Sequence, residues 1–481
     1  MGDIFAKTRS TFGDLAVDKR VANHHELARL PRFVVEYLVA EFTESCGGTF
    51  DETCADKLSR FVAQYYYESR EKDAVLHNLM TTGFLRLIDE IKVDTNIKLG
   101  IHKAHLPSLN IRDATINRNL VDKYQNLLTA GMWGLANLVY APDNVPTDSS
   151  GNPLMSPVFI EGFVPFQATE TNTTIYKEAR EEFTLEGWVD LLMNTIGLNP
   201  LRYGFRQKLI MLSRLVPLIE TNVNMIEFGP RATGKTFLYR NTTYHTRIFS
   251  GGNISSAVLF YNIAKRALGE IGIRDTVIFD EISKVKFTNP SDMLGKLKDY
   301  LESGHFERGP KKGFSTSSLV LMGNIRVEKR DSAYIPVDEF TYILPPDMRD
   351  SAFIDRIHGI IPGWELPKIS KSGIHLSKGY GIASDYFCEI LHNLRKEHYG
   401  YKISENIELG DDFTIRDEKA VKKILSGMIK LLVPNGSLDT NEMKILSDIA
   451  IEYRQQVNDW LHILDPGEFP KKRLTYALKG I

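Results

Sequence analysis

Gly229-Pro230-Arg231-Ala232-Thr233-Gly234-Lys235-Thr236 is an unbroken GxxxxGKT run, a spacing whose chemistry is phosphate binding. Its glycines let backbone N–H groups turn inward around phosphate oxygens, and a helix starting at the lysine presents its positive end to the same anion. Lys235 would reach the β and γ phosphates, and Thr236 would lend its hydroxyl to Mg2+, a hard ion that prefers oxygen donors. The apolar run Thr276-Val277-Ile278-Phe279 ends in Asp280-Glu281, 45 residues after Lys235. Asp280 would hold Mg2+ through its water shell, while Glu281 would polarise an attacking water, which suits hydrolysis better than transfer to a bound acceptor. A further apolar run, Leu319-Val320-Leu321-Met322-Gly323, ends in Asn324. In a P-loop sheet with a strand inserted between the first and third, that amide sits beside the γ-phosphate and orients water. Arg356, just before Ile357-His358-Gly359-Ile360-Ile361, would face away from its own nucleotide and toward a neighbour's, where its charge stabilises the transition state. Asn324 also reads as a plain turn residue, and Arg356 as a local partner of Asp355 or another acid. Together the set predicts an ATPase that uses ATP and Mg2+, and Arg356 predicts a ring. No NKxD segment follows the carboxylate pair, so guanine specificity has no support.

These groups need a scaffold. Candidate strands at Asn224–Phe228, Tyr244–Ser250, Thr276–Asp280, Ser318–Gly323 and Ile357–Pro362 alternate with helices near 235–242, 253–268 and 290–303, which predicts a parallel α/β sheet with crossover helices. Beyond about 375 the strands are expected to stop, and helical periodicity near 384–398, 414–432 and 440–462 predicts a helical lid. Upstream, Leu30-Phe33-Val34-Tyr37-Leu38-Phe42 and Leu58-Phe61-Val62-Tyr65-Tyr66 carry helical spacing and predict a bundle over 1–91. Residues 92–178 read as short strands around one helix near 117–130, the pattern of a β-rich OB-like module. The expected domains are thus 1–91, 92–178, an α/β core at 179–374, and a lid with tail at 375–481.

The bulk properties exclude little but agree. Lys and Arg total 59 against 61 Asp and Glu, so any nucleic-acid surface must be a local patch rather than a global excess. Three cysteines are too few and too odd in number for a disulfide framework. With neither a signal-peptide core nor an 18-residue apolar stretch, a cytoplasmic protein with no membrane partner is expected. His24-His25-Glu26 lacks the second histidine of a zinc-protease motif, because Arg29 stands there.

With Lys235, Asp280-Glu281, Asn324 and Arg356 in this order and a helical segment after them, residues 180–465 resemble AAA+ ATPases. The Ser351–Arg356 run before Pro362-Gly363-Trp364 looks like the Lon branch. Asp299–Gly309, Pro362-Gly363-Trp364-Glu365 and Ser426–Leu432, taken with the P-loop and Phe279-Asp280-Glu281, narrow the likeness to the Lon-like proteins of bacterial BREX phage-defence systems. That resemblance covers most of the chain. It implies an AAA+ P-loop core with a helical lid, and an ATP-dependent DNA-binding ring, hexameric or double. It also implies an N-terminal domain comparable to that of MCM helicases, and other BREX components as partners. Longer members carry a C-terminal protease-like domain with a Ser/Lys dyad; only a tail of 463–481 follows the last lid helix here, so no proteolysis is expected of this chain. Arg416, with Arg454 as the fallback, is the candidate for the lid arginine that contacts the nucleotide.

Two basic regions are candidates for DNA. Lys92, Lys98, Lys103, Arg112, Arg118 and Lys123 outnumber three aspartates between residues 92 and 123, and few aromatics accompany them, so phosphate contact fits better than base stacking. Gly309-Pro310-Lys311-Lys312-Gly313 would form a hairpin projecting into a ring's pore, where Lys311 and Lys312 follow a phosphate backbone. Both segments also read as ordinary solvated surface. A polypeptide remodeller of the Lon kind and an ATP-gated scaffold are the alternative functions. The segment Ile282–Phe287 is basic rather than cleanly aromatic, which tilts the reading toward DNA.

Overall fold

The computed structural model describes residues 2–479 except 21–26, 28, 47–49, 98–99, 130, 146, 148–149, 152, 168–170, 332 and 371–372. His24-His25-Glu26 and Lys98 therefore lie outside the described residues. The chain divides into two compact units, one of Val17–Thr171 with Ala383–Tyr386, the other of the remainder.

In the first unit, helices Arg32–Ser45, Glu52–Tyr65 and Lys72–Thr82 precede a closed five-stranded barrel. Asp51 starts the second helix by accepting a hydrogen bond from the Cys54 N–H at 2.8 Å, and Cys54, Leu58 and Val62 then fall on one buried stripe. Around the barrel the strands run Phe84–Asn96, Ile101–Leu106, Ile111–Ile116, Val158–Pro165 and Met132–Tyr140, which closes on the first. Only the third and fifth sequential strands pair in parallel, with Thr115 opposite Phe159. Between the third and fourth lies a short helix, Arg118–Lys123, capped by the Asn117 side chain. Alternate residues such as Leu87, Ile91, Val93, Ala104, Leu106, Leu138 and Ile160 fill the interior. The first strand opens at Phe84, so a domain edge between 91 and 92 falls inside it.

The second unit is built on five strands in the order Gly359–Pro362, Met225–Gly229, Ser318–Asn324, Thr276–Phe287 and Thr246–Ile254. Every neighbouring pair is parallel. The strand ending in Asn324 is inserted between the P-loop strand and the carboxylate strand, which brings their three C-terminal ends side by side. Near-continuous burial of Met225–Gly229, Ser318–Gly323 and Gly359–Pro362 reflects cover on both faces of the sheet. Helices Ser384–Leu394, Gly400–Asn406, Ile415–Leu432 and Thr440–Leu464 follow, the last two opened by capping boxes at Thr414/Asp417 and Asp439/Glu442. No described helix is long and apolar enough to cross a membrane.

Three expectations are corrected. The carboxylate strand does not stop at Asp280 but resumes pairing at Val285 opposite Gly252, after a bulge in which Glu281 takes φ 48°. A helix over 253–268 is replaced by the end of the edge strand, a short helix Ser256–Leu259 and a ribbon of Tyr261–Asn262 with Ala267–Leu268. Bonding to the extended carboxylate strand past its bulge holds 252–254 as strand, overriding local helical spacing. Strands also continue beyond 375, at Tyr380–Ile382 and in the pair Ile407–Leu409 with Tyr476–Leu478; segments of three residues are too short to show a period.

Candidate nucleotide site

The P-loop leaves its strand at Gly229 and enters helix Lys235–Thr242. Ala232 and Gly234 adopt φ of 67° and 79°, which turns successive N–H groups toward one concavity. Gly229 is required by packing, since a Cβ there would lie 2.7 Å from the Gly363 carbonyl carbon. Residues 231–237, Asp280, Glu281 and Asn324 together line a cleft of about 350 Å³. Three separate segments, which sequence reading selected by residue type, thus meet at one place.

Within the cleft, Lys235 Nζ donates to the carbonyls of Gly229 at 3.0 Å and Pro230 at 2.9 Å, and burial lowers its pKa. Thr236 Oγ1 donates to Asp280 Oδ2 at 2.6 Å, while Asp280 Oδ1 accepts from the Glu281 N–H at 2.9 Å. A hydroxyl and a carboxylate converging on one point form the oxygen donor set of a hard cation. Glu281 lies at the cleft's rim, where Lys284 Nζ donates to its Oε2 at 2.6 Å; that bond holds the carboxyl below the usual range and keeps it ionised. Asn324 ends its strand directly opposite Gly229.

Sequence reading missed the ion pair beneath the loop. Arg214, fully buried, donates Nε to Glu227 Oε2 at 2.9 Å, Nη2 to Oε1 at 2.5 Å and Nη1 to the Thr233 carbonyl at 3.0 Å. The P-loop backbone is thereby tied to a residue of its own feeding strand. The available signal was Glu227 itself, because a carboxylate inside a fully buried strand requires a charged partner. Which cation supplies it depends on the packing of helix Phe205–Ser213 and the turn after it.

Arg356 and Arg416 do not line the cleft. Arg356 Nε lies 3.2 Å from Glu302 Oε2 and its Nη1 donates to the Ala352 carbonyl at 2.5 Å. Arg416 donates Nε to the same Glu302 oxygen at 3.0 Å and Nη1 to Asp355 Oδ2 at 2.6 Å. Arg416, the candidate for a lid contact to the nucleotide, is held here by two carboxylates beside Arg356. The fallback, Arg454, is buried on Asp417 and Asp355, with bonds of 2.6 and 2.8 Å. Lys311 and Lys312 stand on an antiparallel hairpin, His305–Arg308 with Lys311–Phe314, and Lys312 Nζ lies 3.5 Å from Glu307. In the barrel, Lys103 reaches the Leu154 carbonyl at 3.4 Å, Arg112 is exposed, and Arg118 sits 3.6 Å from Asp122.

A parallel sheet with a P-loop, an adjacent carboxylate strand and a strand inserted between them defines a P-loop ATPase domain of AAA+-like build. A family model described as "Lon-like protease BrxL-like, ATPase domain" matches residues 158–475, and one described as "BREX system Lon protease-like protein BrxL N-terminal" matches residues 10–140. The chain belongs to the BrxL family of Lon-like, BREX-associated ATPases. It is 30% identical over 451 residues to the Lon-like protease BrxL of Escherichia coli O9:H4 (strain HS), covering 94% of this chain and 63% of that protein. To the Lon-like protease BrxL of Bacillus cereus (strain H3081.97) it is also 30% identical, over 478 residues, covering 99% of this chain and 69% of the relative.

Proposed function

We propose that this chain is a Mg2+- and ATP-dependent AAA+ ATPase that assembles into a ring, binds DNA without sequence specificity and acts in cytoplasmic BREX anti-phage defence. The observation that carries the catalytic part is the convergence of Lys235, Thr236, Asp280, Glu281 and Asn324 on one cleft. ATP fits that cleft by its positive-φ P-loop, and Mg2+ fits the Thr236–Asp280 oxygen pair, where it would neutralise charge on the phosphates. Lys235 exchanges two P-loop carbonyls for phosphate oxygens, and its three donors suit both states. Ionised Glu281 takes the proton of an attacking water that Asn324 orients. In a ring, Arg356 would act on a neighbour's nucleotide, in keeping with its position outside its own cleft.

Support for DNA comes from two features. The barrel has the strand order, the parallel third-to-fifth pairing and the interposed helix of an OB-like module, with Lys103, Arg112 and Arg118 on its surface elements. Lys311 and Lys312 are exposed on a hairpin and would follow phosphates in a pore. The polypeptide alternative is weakened at the segment after Glu281, because Ile282, Val285 and Phe287 are buried in the core and offer no aromatic to a pore. Phe314, exposed on the lysine hairpin, is the observation in its favour.

The test is ATP hydrolysis by the wild-type chain, Lys235→Ala and Glu281→Gln, each with and without duplex DNA or an unfolded protein, together with particle size at low salt. DNA-stimulated turnover that falls by about 10²–10⁴ in Glu281→Gln, in a ring-sized particle, is the expected result. Turnover unchanged in either variant sinks the site. Stimulation by unfolded protein alone transfers the reading to a remodeller.

A further inference from the structure

At the edge of the sheet opposite strand Gly359–Pro362, three segments of the ATPase unit bring five potential metal-binding residues together. His245 directly precedes the edge strand Thr246–Ile254, Asp275 directly precedes the carboxylate strand, and Cys388, Glu389 and His392 stand on helix Ser384–Leu394. Ligand atoms of His245, Asp275 and His392 all lie within 4.8 Å of one another. His392 Nδ1 is 2.7 Å from Asp275 Oδ2, and His245 Nε2 is 3.0 Å from Glu389 Oε1. The two imidazoles stack with centroids 4.3 Å apart at an angle of 20°.

We propose that His245, Asp275 and His392, with Glu389 beside His245, form a binding site for a divalent transition-metal ion, of which zinc suits the donors best. Two imidazole nitrogens and carboxylate oxygens are the borderline ligands that zinc takes, whereas Mg2+ prefers oxygen alone. Bonds of ~2.0–2.1 Å in a tetrahedral site separate neighbouring ligand atoms by ~3.3 Å, so a metal replacing the proton between His392 and Asp275 opens that pair by ~0.6 Å beyond its present 2.7 Å. Glu389 is the carboxylate partner that metal-bound histidines take to fix their orientation, and Tyr244 Oη donates to the same oxygen.

The charges that face the cluster leave room for a cation. Arg395 Nε lies 3.6 Å from Asp275 Oδ1, so one carboxylate is half-compensated, while Glu389 has only Tyr244 and His245 as hydrogen-bond donors among its described contacts. Cys388 Sγ donates to Thr243 Oγ1 at 3.2 Å, and Cys388 is not one of the three residues whose ligand atoms cluster as His245, Asp275 and His392 do. Because the ligands come from the sheet edge, from the residue leading into the strand of Asp280, and from a C-terminal helix, a bound metal would staple that helix to the ATPase sheet.

Zinc binding by the full chain decides this. Chelator-treated protein is dialysed against micromolar Zn2+ with millimolar Mg2+ present, so that oxygen-only sites are occupied. One equivalent of zinc per chain is expected in wild type, Lys235→Ala and Asp280→Asn, and none in His245→Gln/His392→Gln. Zinc at a hundredfold excess over its Kd should raise the melting temperature of wild type by about 3–6 °C and leave the double variant unmoved. No zinc uptake by wild type overturns the proposal, as does a full equivalent retained by the double variant. Should that variant fail to fold, Asp275→Asn and the visible spectrum of Co2+-loaded wild type decide: intense tetrahedral bands lost in Asp275→Asn are expected, and a weak six-coordinate spectrum is contrary.

Discussion

Removing Glu227 should damage the P-loop more than removing any exposed charge in the ATPase unit. Arg214 and Glu227 are both fully buried, and the guanidinium makes two bonds to the carboxylate plus one to the Thr233 carbonyl. In Glu227→Ala the cation stays buried with that carbonyl, the Thr233 hydroxyl at 3.4 Å and the Met211 sulfur at 2.8 Å as its remaining partners, none of them charged. Leaving one partner of a buried pair uncompensated costs about 3–5 kcal/mol, or roughly 10²–10³·⁵ in the folding equilibrium at ~1.4 kcal/mol per tenfold. Replacing both partners by apolar residues, as in Arg214→Met/Glu227→Leu, should recover most of that loss while still releasing the Thr233 carbonyl. Arg206 supplies the contrast. It bonds Glu365 and Glu452 through four contacts but is half exposed, so Arg206→Ala should cost no more than ~1 kcal/mol. Guanidinium titrations followed by tryptophan fluorescence suit the comparison, because Trp188, Trp364 and Trp460 lie in this unit, and nucleotide affinity is measured in parallel. The single variant should be destabilised and bind nucleotide weakly; the double variant should be stable and still bind weakly. Glu227→Ala within ~1 kcal/mol of wild type refutes the energetic argument, and wild-type affinity in the double variant refutes the positioning role.

In a ring, Arg356→Ala and Glu281→Gln should each lose about 10³ in turnover, yet their mixture should regain a measurable fraction, since some interfaces pair an intact Arg356 with an intact Glu281; a mixture no better than either variant speaks against action in trans. Asp89 titrates the barrel: burial, which outweighs its bonds from Ser108 and the Glu90 N–H, raises its pKa from 3.8 to about 6. The folded state therefore holds this proton more tightly than the unfolded one, and the stability that the neutral acid contributes is present below pH ~4 and lost as pH rises through ~6, about 3 kcal/mol in all. The wild-type-minus-Asp89→Asn difference in barrel stability should fall across that window, and a flat difference contradicts the reasoning. A Cβ at Gly363 would lie 2.5 Å from Glu227 Oε1 and 2.9 Å from the Phe228 carbonyl, so Gly363→Ala should destabilise the ATPase unit by about 1–3 kcal/mol, read by the same fluorescence titration.

Legibility of this chain tracked the range of the interactions concerned. P-loop chemistry is local: GxxxxGKT needs its glycines and lysine at set intervals, and the apolar runs ending in Asp280 and Asn324 announce strands whose ends carry polar groups. Secondary structure failed where a neighbour decided it. Glu281 sits in a bulge that no residue type near it demands, and the edge strand extends through Gly251-Gly252 because the carboxylate strand past that bulge is there to pair with it. The surroundings of Arg416 depend on the fold in the same way: a cation at a helix start looks available, and only the fold brings Glu302 and Asp355 to it.

By itself the sequence determined the P-loop, the candidate magnesium ligands, the alternation that makes a parallel sheet and the family, since all of these are written in residue types at short, fixed separations. Only the tertiary structure decided which strand lies between which, how Arg214 underpins the P-loop, where Arg416 is held and that His245, Asp275 and His392 meet. Those outcomes depend on contacts between residues far apart in the chain, whose pairing is set by packing and burial of charge rather than by any local pattern.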